Sequence, residues 1–237
     1  MHLGQGAIEY VESLALLLSG SYTKALDILD ADISKTTQKG AVLYPEYMTK
    51  AMILNYLGDY QDAYDIIMKE IYSKISEQNK DIKIPPLYNA RILTQLAWAK
   101  SQTGRLNDSI KHSEQAVQIL FKTQGYKDTK ELYNCRDTFL ASAIMVRAIV
   151  LNLNGQHDEG MELYKITKNI YINAYGLKNL GNIDQVGYML LQAVRDSRKT
   201  KLQTANKNCM EYYRLLLKYF GETNKRTRDA KAICIQE

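Results

Sequence analysis

Proline is scarce: only Pro45, Pro85 and Pro86 occur in 237 residues, so long segments run without the residue that most strongly breaks a helix. Phenylalanine (three) and tryptophan (one) are equally rare, which leaves tyrosine, at 18 residues, as the aromatic of this chain. An amphipathic ring of that kind suits half-buried seams between stacked helices. The three cysteines, Cys135, Cys209 and Cys234, are odd in number, far apart, and show neither a CxxC pair nor metal-ligand spacing. They read as packing residues of a protein kept in a reducing, cytoplasmic compartment. No run approaches the roughly 20 apolar residues that a membrane-spanning helix needs. The apolar cluster Leu14–Leu18 follows Glu9 and Glu12 and lacks a basic lead, so it does not read as a signal peptide.

Catalytic signatures are missing too. His2, His112 and His157 are isolated from one another, and there is no HExxH, phosphate-binding glycine loop, Gly-x-Ser-x-Gly elbow or dinucleotide fingerprint. His157 occupies a turn position and reads as a packing residue. The carboxylate pairs Asp27/Asp30 and Asp158/Glu162 stand at ordinary helical spacing and read as solvated charges. The expectation is a non-enzyme without cofactor or metal.

What the chain does have is a composition of 46% hydrophobic and 24% charged residues, enough for a packed interior. Segments rich in Leu, Ile, Ala, Lys, Glu and Gln favour an all-α fold. A recurrent turn organises them. Gly20-Ser21-Tyr22-Thr23-Lys24-Ala25 and Gly58-Asp59-Tyr60-Gln61-Asp62-Ala63 share the pattern Gly-x-Tyr-x-x-Ala. Gly104-Arg105-Leu106-Asn107-Asp108-Ser109 and Gly155-Gln156-His157-Asp158-Glu159-Gly160 keep the glycine and a small sixth residue, and Thr200–Ala205 is a degenerate fifth copy. Seven residues before each turn stands a small residue: Ser13, Ala51, Ala97, Ala148 and Ala193. The glycine ends a first helix, and the small residues let a second helix return close against it.

These turns and their preceding small residues resemble the tetratricopeptide repeat family. Spacings of 38 to 51 residues exceed the usual repeat of about 34. Extended repeats, with the segments Ala174–Asn179 and Tyr219–Asn224, look similar to the kinesin light chain subgroup. The resemblance implies a right-handed superhelical solenoid of antiparallel helix pairs over residues 1–237, at about 7–37, 45–80, 87–124, 137–175 and 183–220. Residues 222–237 would be a capping or truncated further helix.

The resemblance also implies where a ligand sits. The residues three and two places before each turn would face a concave groove: Asn55 and Tyr56, Ser101 and Gln102, Asn152 and Leu153, Ser197 and Arg198. One helical turn earlier, Arg91, Thr94, Gln95 and Trp98 would extend the same surface. The amides could hold a peptide backbone, and Arg91 and Arg198 could select acidic groups. The expected function is a protein-interaction scaffold or adaptor that captures a peptide or protein segment of acidic or mixed character. Two other readings stand beside it. The net charge of +5, with Lys225, Arg226, Arg228 and Lys231, allows nucleic-acid binding through a basic face, although such a run is more often solvated. Leu14, Leu17 and Leu18 allow self-association into a homo-oligomer.

Overall fold

Of the six described glycines with a positive φ, three stand at the corners between paired helices, where a sharp helix end requires that backbone: Gly58 (φ 96°), Gly104 (φ 79°) and Gly155 (φ 82°). Each ends one helix and starts the next within a few residues. The computed structural model describes residues 5–18, 21–37, 44–73, 84–176, 209–211, 213–214, 216–218, 221–222 and 225–235. Among them all regular structure is helical. The helices are α1 (Gln5–Leu18), α2 (Tyr22–Thr37), α3 (Tyr44–Leu57), α4 (Tyr60–Ile66), α5 (Pro86–Gln102), α6 (Leu106–Gln124), α7 (Thr138–Leu153), α8 (His157–Tyr175) and α9 (Lys225–Cys234). A π-helical run, Ile67–Ser73, extends α4, and a 3-10 turn, Thr129–Asn134, precedes α7. The fold is all-α, built from sequential antiparallel pairs.

The chain divides into two units, residues 1–123 and 124–237. In the first, α1/α2, α3/α4 and α5/α6 are successive pairs, and in the second α7 pairs with α8. The small residues explain why the pairs close tightly. Ser13, Ala51, Ala97 and Ala148 on the first helices are all fully buried, as are Ala25, Ala63 and Ser109 on the second. In the third pair the two positions meet directly, with Ser109 Oγ donating to Ala97 O at 2.7 Å. Gly160 holds the same place in the fourth pair, and a methyl there would lie 2.5 Å from Asn152 Nδ2. Glycine replaces alanine because the Asn152 side chain already fills the space.

Each unit has its own core. In the first, a file of rings crosses the three pairs: Tyr22 stacks on Tyr56 at 5.0 Å, and Tyr56 meets the edge of Trp98 at 5.0 Å. In the second, α7 is buried on nearly all sides, and Asp137 caps it by accepting from Phe139 N and Leu140 N at 2.8 and 3.0 Å.

Two sequence expectations change here. Cys209 and Cys234 are joined in a disulfide with Cα atoms 5.2 Å apart, so they are not independent packing residues. Cys135 is a buried free thiol. Leu17 is 5% exposed and so offers little surface to a dimer seam, whereas Leu14 is half-buried and the Leu18 side chain lies outside the described ones. No helix among the described residues is long and apolar enough to cross a membrane.

Candidate functional site

α5 shows why the expected groove row divides into two groups. From Ile92 to Lys100 every side chain is buried, whereas Arg91, one residue earlier, is exposed. Thr94, Gln95 and Trp98 therefore belong to the interior. Thr94 Oγ1 donates to Ala90 O of its own helix at 2.8 Å, a bond that satisfies a hydroxyl without any ligand. Trp98 is fully enclosed at the end of the aromatic file.

Asn55 is likewise fully buried, and its Nδ2 donates to Gln95 O at 3.1 Å and Gln95 Oε1 at 3.0 Å. The resemblance implies a groove-facing Asn55, but here it cross-links the first helices of two successive pairs. Tyr56, at 9% exposed, is held between Tyr22 and Trp98. Asn152 has the same position relative to its turn as Asn55 and a different role. Its Nδ2 donates to Ala148 O at 2.9 Å, and its Oδ1 lies 3.3 Å from His157 Nδ1, so it ties the corner of its own pair. His157 thus packs at the turn.

Ser101 and Gln102 remain half-buried at the end of α5, where Ser101 Oγ donates to Trp98 O at 2.7 Å. Ser197 and Arg198 lie outside the described residues. Of the twelve positions named from the sequence, Arg91, Ser101, Gln102 and Leu153 are the described ones with appreciable surface.

Around Arg91 the structure gathers residues that the turn-based register did not single out. Tyr10 on α1 is within hydrogen-bond distance of Thr49 on α3, with the two hydroxyls 3.2 Å apart. Half-buried Tyr88, one turn before Arg91, feels the charges or dipoles of Arg91, Tyr10, Glu46 and Tyr44, and burial drives its phenol pKa well above the ordinary range. Burial likewise raises the Glu46 carboxyl. The first helices of three successive pairs therefore bring phenols, a carboxyl and a guanidinium to one face. The signal in the sequence was the tyrosine excess itself, without the register to place it.

A second feature lies in the same unit. α2, α3 and α4 with its π extension form an open cavity of about 500 Å³, lined by Leu26, Asp30, Lys50, Leu54, Asp59, Asp62, Asp65, Ile66, Lys69 and Glu70. On α3, Lys50 and Leu54 point into it, whereas Thr49 meets α1.

No protein-family model matches the chain, and no curated protein sequence matches it. Among solved structures it is similar to the crystal structure of BtubC (BKLC) from P. vanneervenii, at 12% identity over 91% of this chain and 89% of that one, with a TM-score of 0.43. At that score the likeness adds nothing to the argument from the residues. Among the described residues no group of three or more His, Cys, Asp and Glu side chains is arranged to hold a metal ion.

Proposed function

We propose that this chain is a protein-interaction scaffold, and that the face carrying Tyr10, Tyr88 and Arg91 in the first unit holds a peptide with an acidic side chain. The observation that carries the reading is exposed Arg91 on a helix whose next nine residues are all buried, beside a half-buried phenol. A guanidinium at such a point offers two parallel hydrogen bonds to a carboxylate. The half-buried rings of Tyr10 and Tyr88 offer flanking aromatic surface. Ser101 and Gln102 would prolong the contact toward the turn, while Asn55, Gln95 and Trp98 hold the helices in register beneath it.

The test is fluorescence anisotropy with a labelled library of acidic and neutral peptides. Binding of an acidic member should weaken about tenfold or more on Arg91→Glu, because loss of a charge-assisted pair and its reversal exceed about 1.4 kcal/mol. Tyr88→Phe, which removes a hydroxyl that the fold already buries, should change binding little. Equal binding by wild type and Arg91→Glu would remove this face from the interaction.

A further inference from the structure

A second surface of the first unit has opposite chemistry. The cavity between α2, α3 and α4 has an apolar floor of Leu26, Leu54 and Ile66, and five carboxylates stand around it against two ammonium groups. In a chain of net charge +5 that local excess runs counter to the average. Both cations are already engaged, Lys50 with Asp30 and Lys69 with Glu70. Asp59, Asp62 and Asp65 form no ion pair among the described residues, and Asp65 accepts only from the neutral Gln61 amide, at 2.8 Å.

The usual local role of such residues does not account for them. Asp59 is the residue before the first turn of α4, where an aspartate ordinarily accepts hydrogen bonds from the helix's own amides. It makes no such bond, in contrast to Asp137 at the start of α7. Its carboxylate lines the cavity instead. The helix dipole favours Asp59 and Asp62 at this end, but not Asp65 a turn further on or Asp30 on another helix. The π-helical run that follows α4 shifts the register of its side chains, and this run supplies Lys69 and Glu70 to the rim.

The carboxylates are spread along the wall and do not converge on a point, as the lack of a metal-type cluster among the described residues records. Distributed negative charge over an apolar floor matches distributed positive charge around an apolar side chain. The volume lies within the range of about 300–1,000 Å³ typical of ligand sites, enough for one aliphatic side chain flanked by cationic ones.

We infer that this cavity is a docking site for a basic, aliphatic-bearing peptide segment, whose Lys or Arg side chains meet Asp59, Asp62 and Asp65 while its aliphatic side chain rests on Leu26, Leu54 and Ile66. The site is independent of the Arg91 face, and it gives the scaffold two recognition surfaces of opposite preference.

The probe is a fluorescein-labelled synthetic peptide of lysines flanking two leucines, titrated against the intact chain at about physiological ionic strength, where loose surface attraction is screened beyond about 8 Å. Three comparisons accompany it: the same peptide with serine for leucine, the chain carrying Asp62→Lys and Asp65→Lys, and the chain carrying Asp59→Asn, Asp62→Asn and Asp65→Asn. Circular dichroism checks that each variant folds, and the neutralising triple variant serves if charge reversal does not. Saturable binding that drops about tenfold or more in the aspartate variants, and also on leucine removal, supports the site, a loss of about 1.4 kcal/mol or more. Arg91→Glu should leave this binding intact, which separates the site from the acidic-peptide face. Absence of saturable binding, or binding indifferent to the aspartates or the leucines, overturns the proposal. Displacement of the peptide by micromolar calcium would assign the carboxylates to a cation and overturn it equally.

Discussion

Gly160 and Asn152 show how one side chain can set the identity of another. Alanine stands at this place in the first two turns, buried completely as Ala25 and Ala63, yet in the fourth the Asn152 amide occupies the volume that a methyl would need. Gly160→Ala should therefore destabilise the second unit by about 1–3 kcal/mol, as overpacking of a filled site does. Pairing it with Asn152→Ala should recover part of that loss, so the two changes will be non-additive in urea denaturation. Asn55 makes a different case at the same turn-relative position. Asn55→Ala removes both hydrogen bonds to Gln95 and leaves a buried amide oxygen and a carbonyl without that donor, which should cost about 1–3 kcal/mol. The loss should appear in thermal unfolding even with no ligand present, whereas Arg91→Glu, on the surface, should change thermal stability little.

Among the elements, α5 and α9 depend on different kinds of support. α5 is buried without a break from Ile92 to Lys100, and that packing holds it against its neighbours. α9 has only ten residues and carries Arg228 and Lys231 on its exposed side, so its intrinsic helicity in water is low. Its buried Ala230 and Cys234 face inward, and the disulfide from Cys234 to Cys209 closes a 25-residue separation. Reduction, or Cys209→Ser, should lower the stability of the second unit by about 2–4 kcal/mol, the usual contribution of such a closed loop. Limited proteolysis read by mass spectrometry should then show earlier cleavage between residues 222 and 235 in reductant, with helices α1 to α6 cut no faster.

For the whole molecule the pH dependence of stability follows from which charges the fold shelters. Burial raises the Glu46 carboxyl above the ordinary carboxylate range, so the folded chain holds that proton more tightly than the unfolded one. Stability from this group is greatest at low pH and is lost as pH rises from the unfolded value through the raised folded one. Glu46→Gln should abolish that step and be the more stable form at neutral pH, which thermal melts across the range will read. Burial acts on His112 in the opposite sense, lowering its pKa, so its stabilising contribution is present above the unfolded value and is lost as pH falls from there through the lowered folded one. Much of the helical character could be read in the sequence, because Gly58, Gly104 and Gly155 need a left-handed backbone and Ser13, Ala51, Ala97 and Ala148 need to be small whatever lies beyond their own pair. Those are local requirements, and local requirements leave a pattern in one dimension. The sites were harder to read because they depend on which face of each helix the neighbouring pair covers. Asn55, Gln95 and Trp98 look like surface residues by register and are interior because the second and third pairs pack against each other there. Asp30, Asp59, Asp62 and Asp65 look like scattered solvated charges, and the return of α2 and α4 about α3 brings them around one cavity. The sequence by itself determined the helices and the corners between them. The tertiary structure alone decided which side chains those helices leave exposed, since burial is a property of the neighbours and not of the residue.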